Sequence, residues 1–221
     1  MSSDAIFVGD EKEHKVKVAD FYMCKYAVTV KEYLQFAQET STHYPEWMEE
    51  GSEYNVKTGG NDYYKKLGDA LTDDNHPVVG VSWDDAVAYC KWRSSKTGKK
   101  FRLPTEWEWE YAAAGKEKRE YPWPTEKGEP TSKLLNYNSN VGTTTPVGSY
   151  PDGATPEGLY DMAGNVLEWT DSWYDEKTRS FRVIRGGSWR SSAVFCRSAY
   201  RNYFTPDYRN GYVGFRLVFV P

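Results

Sequence analysis

Apolar side chains recur at helical spacing in three places, and a polar cap introduces each run. Thr29-Val30-Lys31-Glu32 places a hydroxyl at a helix start and a carboxylate three residues on, the pair that satisfies the orphan N–H groups of a first turn. Tyr33, Phe36 and Ala37 follow at i, i+3 and i+4 and predict a buried face. Ser82-Trp83-Asp84-Asp85 opens a second helix, with Trp83, Ala86, Val87 and Cys90 on one side. Pro104-Thr105-Glu106-Trp107-Glu108 opens a third, with Trp107, Tyr111 and Ala114 on one side. Strand-like runs lie between and after them. Residues 16–23 alternate in part, residues 78–81 are a short apolar run, and residues 181–189 and 213–220 are rich in β-branched and aromatic side chains. The last of these, VGFRLVFV, predicts the strongest strand of the chain. Two stretches, about 40–76 and about 115–157, lack periodicity and are rich in Gly, Pro, Asn, Thr and Tyr. Aromatics scattered through them predict ordered surface loops rather than linkers, and loops of that length are uncommon unless functional. The mixture predicts one α+β domain over residues 1–221, with few helices, short antiparallel strands and much irregular loop.

Composition narrows the function classes. The 221 residues are 39% apolar and 16% aromatic, which excludes a disordered polar chain. Mean hydropathy is −0.78 and no apolar run approaches the ~18 residues of a membrane helix, so no membrane insertion is expected. The first residues, MSSDAIFVGDEKEH, carry neither a basic n-region nor an apolar h-region. No signal peptide is expected, which leaves the cytoplasm, a phage particle or signal-independent export. A net charge of −4 argues against a general nucleic-acid partner. Cys24, Cys90 and Cys196 are odd in number and show no CxxC spacing. Buried free thiols are expected, with room for one bridge at most. His14, His43 and His76 show no metal-binding spacing and read as structural or surface residues.

Four segments carry a resemblance that covers nearly the whole chain. They are Pro77 to Trp83 with Ala88-Tyr89-Cys90; Phe101 to Glu110 (FRLPTEWEWE); Gly158 to Trp169 (GLYDMAGNVLEW); and Arg185-Gly186-Gly187-Ser188-Trp189 with Gly214-Phe215-Arg216. Together, and in this order, they resemble the formylglycine-generating-enzyme (sulfatase-modifying factor) family, whose fold is a variant of the C-type lectin fold. Read structurally, Gly186-Gly187 permits a close backbone approach, and Trp83, Trp107, Trp109, Trp169 and Trp189 fill a core poor in aliphatic residues. Arg102 and Arg216 are expected to pair with the glutamates of the 106–110 helix. The resemblance also implies chemistry. Oxidase members bind Cu(I) through C-x4-C shortly after the GGS segment, and those places fall on Ser191 and Cys196 here. A serine hydroxyl is a poor ligand for a soft metal, so no copper is expected. Members also bind Ca2+ around the GNxxEW segment. The matching ligands would be Asp161, the carbonyls of Gly164 and Val166, and Glu168. The alternative is that Glu168 and Asn165 only satisfy loop backbone groups.

The stretch 190–212, RSSAVFCRSAYRNYFTPDYRNGY, is anomalous. It holds six aromatics, and four arginines against Asp207 give it a net +3 in an acidic chain. Tyr, Ser, Asn, Gly and Arg make up adaptable binding surfaces such as antibody loops. Poor periodicity favours partial exposure over an irregular core layer. Lys, Glu, Gln, Met and Trp supply 50 residues of the chain, yet none follows Trp189. These are the residues that AAC or AAT cannot become when both adenines are randomised. The pattern resembles the variable proteins of diversity-generating retroelements, in which adenine-directed mutagenesis rewrites the C-terminal segment of a C-type lectin fold. Gly186 to Trp189, Cys196 to Ala199, Arg201, Pro206-Asp207 and Gly214 to Arg216 match the fixed frame of that group. Arg190, Ser191, Ser192, Val194, Phe195, Tyr200, Asn202, Tyr203, Phe204, Thr205, Tyr208, Asn210, Gly211 and Tyr212 fall at the variable places, and all are reachable from an Asn codon. The resemblance implies a non-catalytic protein whose diversified surface binds another protein. The alternative is a sulfatase-modifying-type oxidase, or an enzyme-associated domain with altered chemistry. A calcium-dependent sugar module ranks below both, because no EPN or QPD triplet occurs.

Overall fold

The computed structural model describes residues 3–8 and 13–220, with side chains from Val16 onward. Three α-helices form where the caps announce them: α1 (Val30–Thr40), α2 (Trp83–Thr97) and α3 (Glu106–Ala114). Thr29, Ser82 and Thr105 each accept from the backbone N–H three residues on, and Glu32, Asp85 and Glu108 reach back to close three capping boxes. α1 buries Val30, Tyr33, Phe36 and Ala37 as its spacing predicts. α2 is turned relative to expectation. It buries Asp85, Ala86, Tyr89 and Cys90, while Trp83 and Val87 are half-buried. The Trp83 ring instead packs on the Arg182 guanidinium, 3.7 Å from its centroid. α3 departs further. Packing surrounds it, and it buries Glu106, Glu108 and Glu110 together with Trp109 and Tyr111, leaving Trp107 and Ala114 half-buried.

Nine strands form three sheets among the described residues. β1 (Ser3–Val8) and β2 (Glu13–Val18) make an antiparallel pair. β3 (Tyr22–Met23) and β4 (Lys100–Arg102) flank β9 (Val218–Val220), both antiparallel to it. The third sheet runs β7–β6–β5–β8, where β5 is Leu167–Trp173, β6 Arg182–Arg185, β7 Asn202–Phe204 and β8 Val213–Gly214. β8 lies parallel to β5 and the other pairs are antiparallel. The run 213–220 is therefore two strands in two sheets rather than one. Between them Phe215, Arg216 and Leu217 are all buried, so the in–out alternation of a single strand is lost. The run 78–81 is buried but not a strand. Val78 N–H bonds Val28 O at 2.9 Å, and Gly80 turns the chain at φ +77°.

The two long aperiodic stretches are ordered and carry core of their own. Trp47, Tyr64 and Trp123 are buried, and Trp47 Nε1 donates to Val79 O at 2.9 Å while Trp123 Nε1 donates to Gly128 O at 2.9 Å. All three cysteines are free thiols. His76 bonds Thr144 Oγ1 and His43 bonds Asp85, both at 2.9 Å. His14 falls among the side chains outside the described residues. Arg102 pairs with Glu108 of α3 at 2.6–2.7 Å, as expected. Arg216 does not pair with α3. It is fully buried and makes a two-pronged pair with Glu168 of β5, both bonds 2.7 Å. Among the described residues, no helix is long and apolar enough to cross a membrane.

Candidate functional site

The segment 190–212 follows β6 by way of Gly186 and Gly187, at φ +91° and +69°. A Cβ on Gly187 would stand 2.6 Å from Cys196 Sγ, so only glycine lets the returning chain lie this close. Arg185, fully buried at the end of β6, reaches under the segment. Its guanidinium pairs with Glu110 and donates to Tyr200 O at 2.9 Å. Burial pushes the Glu110 carboxyl up to about 7, against the pull of Arg185. Arg201 makes a fork with Glu106 at 2.6 and 3.0 Å, and Arg209 pairs with Glu49 and with Asp85, the latter at 2.9 Å. The net +3 of the segment is therefore not a free positive field: Arg201 and Arg209 at least are matched by carboxylates from outside it.

The scaffold grips this segment mainly through backbone carbonyls. Asn138 N–H bonds Ser191 O, Trp83 N–H bonds Pro206 O, Gly80 N–H bonds Asn210 O and Leu167 N–H bonds Tyr212 O, all at 2.8–2.9 Å. Trp189 Nε1 donates to Gly211 O at 3.1 Å. The frame residues differ in exposure: Arg197, Ala199, Arg201 and Pro206 are half-exposed. Gly186 to Trp189, Cys196, Ser198 and Gly214 to Arg216 are buried. Arg190, Ser192, Val194, Phe195, Tyr203 and Thr205 are exposed, and Ser191, Tyr200, Asn202, Phe204, Tyr208, Asn210 and Tyr212 are half-exposed. Gly211 alone of the fourteen is buried; a Cβ there would come within 2.6 Å of Leu67 Cδ1. Asp207, a frame position, is exposed.

Rings on this face pack on one another. Tyr203, 41% exposed, lies 4.2 Å from Tyr174 and 5.0 Å from Phe181 between ring centroids. Phe195 meets Tyr200 at 5.0 Å. Phe204 stacks on Tyr208 at 3.9 Å, and the Tyr208 and Tyr212 hydroxyls are 2.6 Å apart. The sequence pattern missed three contributors from outside the segment. Tyr174 and Phe181 frame the polar turn between β5 and β6, and Tyr63 bonds Asn210 from the first long loop. Two aromatics bracketing a charged turn were the one available hint.

The metal expectations meet a different interior. Both oxygens of Glu168 are taken by Arg216, and Oε2 also accepts from Trp109 Nε1 at 2.7 Å. Asp161 Oδ2 accepts from Gly148 N–H at 2.7 Å, and burial pushes its carboxyl up to about 6, offset in part by that bond and by Arg216. Asn165 exchanges bonds with Thr145 N–H and O at 2.9 and 3.0 Å, the backbone-satisfying role named as the alternative. With Glu168 so occupied, the set does not fit a calcium ion as it stands. Copper fits no better. Ser191 Oγ accepts from Ser188 N–H at 3.0 Å within the turn, and burial pushes the Cys196 thiol up to about 12. Among the described residues no three His, Cys, Asp or Glu side chains group as ligands.

Residues 2–220 match the family described as "Sulfatase-modifying factor enzyme 1-like domain". Hercynine oxygenase of Mycobacterium tuberculosis is 33% identical over 235 residues, covering 92% of this chain and 53% of that protein. The chain thus spans about half the length of that relative. PvdO from Pseudomonas aeruginosa superposes with a TM-score of 0.79 at 26% identity, over all of this chain and 92% of the other. Treponema denticola variable protein 1 superposes at 0.76 with 24% identity, over 100% and 93%. These likenesses establish the α+β, C-type-lectin-like fold.

Proposed function

The chain belongs to the sulfatase-modifying factor enzyme 1-like family, and from that premise we propose that it is a binding protein and not an enzyme. It displays the outward side chains of 190–212 to a protein ligand, in the manner of a retroelement variable protein. One observation carries the reading. The scaffold holds Ser191, Tyr200, Asn210 and Tyr212 by their carbonyl oxygens, a grip that does not depend on which side chain each residue carries. Thirteen of the fourteen variable places face solvent wholly or in part. Their tyrosines and phenylalanines supply contact area at low entropy cost, and serine, asparagine and arginine supply polar contacts.

The test is to sequence the DNA around the gene. A near-copy of the segment encoding residues 182–216, beside a reverse-transcriptase gene and differing almost only where it carries adenine, is expected. No such copy overturns the retroelement reading. Identity of 33% with hercynine oxygenase along 92% of the chain favours a second reading, an enzyme with altered chemistry. Stoichiometric Cu(I) binding, or oxygen-dependent oxidation of a peptide cysteine, would establish it.

A further inference from the structure

Arg201 and Arg209 spend their charge on Glu106, Glu49 and Asp85. Arg190 does not. It is exposed, and among the described residues its guanidinium has no carboxylate partner. It is held in place all the same, 5.3 Å from the Tyr212 ring centroid and 5.7 Å from that of Trp189. The Tyr63 hydroxyl lies beside it, donating to Asn210 and accepting from Gly211 N–H at 3.4 Å. Burial keeps the Tyr63 and Tyr212 phenols above their ordinary range, so both stay protonated at neutral pH. Guanidinium carries five donors in a planar fork, and one neighbouring hydroxyl leaves an edge open. Next to it runs the row Tyr212, Tyr208 and Phe204, an apolar shelf with hydroxyls along one side.

Resting on the binding reading above, we propose that Arg190 with Tyr63 and Tyr212 forms a subsite for one acidic side chain of the protein ligand. The neighbouring ligand residue, aromatic or aliphatic, lies on the Tyr208–Phe204 shelf. A fork pinned over a ring is preorganised for a carboxylate, whose two oxygens match two parallel N–H groups. The net −4 of the chain disfavours an extended polyanion, which leaves an isolated carboxylate. Because Tyr63 stands outside 190–212, one wall of the subsite is constant.

The experiment is selection of random displayed peptides on the folded chain, followed by fluorescence titration of the enriched peptides. Peptides with Asp or Glu beside an aromatic or aliphatic residue are expected. Arg190→Ser, a change on an exposed side chain, weakens them roughly tenfold. Replacing the peptide acid by its amide does the same, and the two losses do not add. Tyr63→Phe costs less, and Arg190→Lys keeps part of the affinity. Enriched peptides without an acid, or indifferent to Arg190→Ser, overturn the subsite. If those peptides still lose binding on Tyr203→Ala, the displayed-surface reading stands; if they do not, both fall. A selection that enriches nothing also overturns the subsite.

Discussion

The inward and outward sides of residues 190–212 follow opposite rules. Inward, Cys196 fits against a glycine that admits no Cβ, and Arg201 forks onto Glu106. Outward, the Phe195 ring packs on Tyr200, and Tyr203 packs on Tyr174 and Phe181. Below both sides, Arg185 and Arg216 lie fully buried with Glu110 and Glu168. The difference teaches where sequence information is needed. A carbonyl can be held whatever side chain its residue bears, whereas a buried guanidinium has no substitute once its carboxylate partner is in place.

The contrast can be broken from its strongest side first. Arg216→Ala leaves Glu168 buried and uncompensated, and urea unfolding should show a loss of about 3–5 kcal/mol. Replacing both partners by apolar residues should recover much of it; an undiminished loss would mean that Arg216 acts through its other bonds, to Tyr160 O among them. Next comes Asp161, whose carboxyl is raised to about 6 by burial. A raised carboxyl contributes stability below its unfolded value, and that contribution is lost as pH rises from about 4 to about 6. Asp161→Asn, which tolerates the left-handed φ of +55°, should remove this fall from the melting curves; an unchanged slope refutes the assignment. Gly187→Ala meets Cys196 Sγ at φ +69° and should cost about 1–3 kcal/mol by thermal unfolding, with native-like stability sinking the close-approach argument. The smallest effect belongs to the outward face. Phe195→Ser and Tyr203→Ser should each shift stability by less than about 0.5 kcal/mol while changing what the surface binds. A loss of several kcal/mol would make those rings core residues.

Local features were legible in the sequence and tertiary ones were not. The three capping boxes are made of residues three apart, so they read directly. The buried face of α3 does not, because Glu106 and Glu110 are buried by arginines that arrive some eighty residues later in the chain. The partner of Arg216 is hidden for the same reason: pairing follows three-dimensional neighbours, and the carboxylate it meets is Glu168 of β5, beside Trp109 of α3. The split of 213–220 is tertiary as well, since Val213–Gly214 pairs with β5 while Val218–Val220 pairs with β3 and β4. Codon reach and the GGSW, CRSA and GFR frame pick out fourteen places, thirteen of which are at least partly exposed. Tyr63, Tyr174 and Phe181 join them only through folding.

Gly211 marks where change on the display face meets the interior. Every other place in the set has solvent to grow into, but here the next heavy atom lies 2.6 Å beyond where a Cβ would begin. A rewritten copy that draws a bulky residue at 211 must first push Leu67 out of its buried seat. Folding then acts as a sieve ahead of any ligand. On the proposed retroelement reading, the working repertoire at 211 is narrower than its mutational reach, trimmed by lost stability rather than by failure to bind.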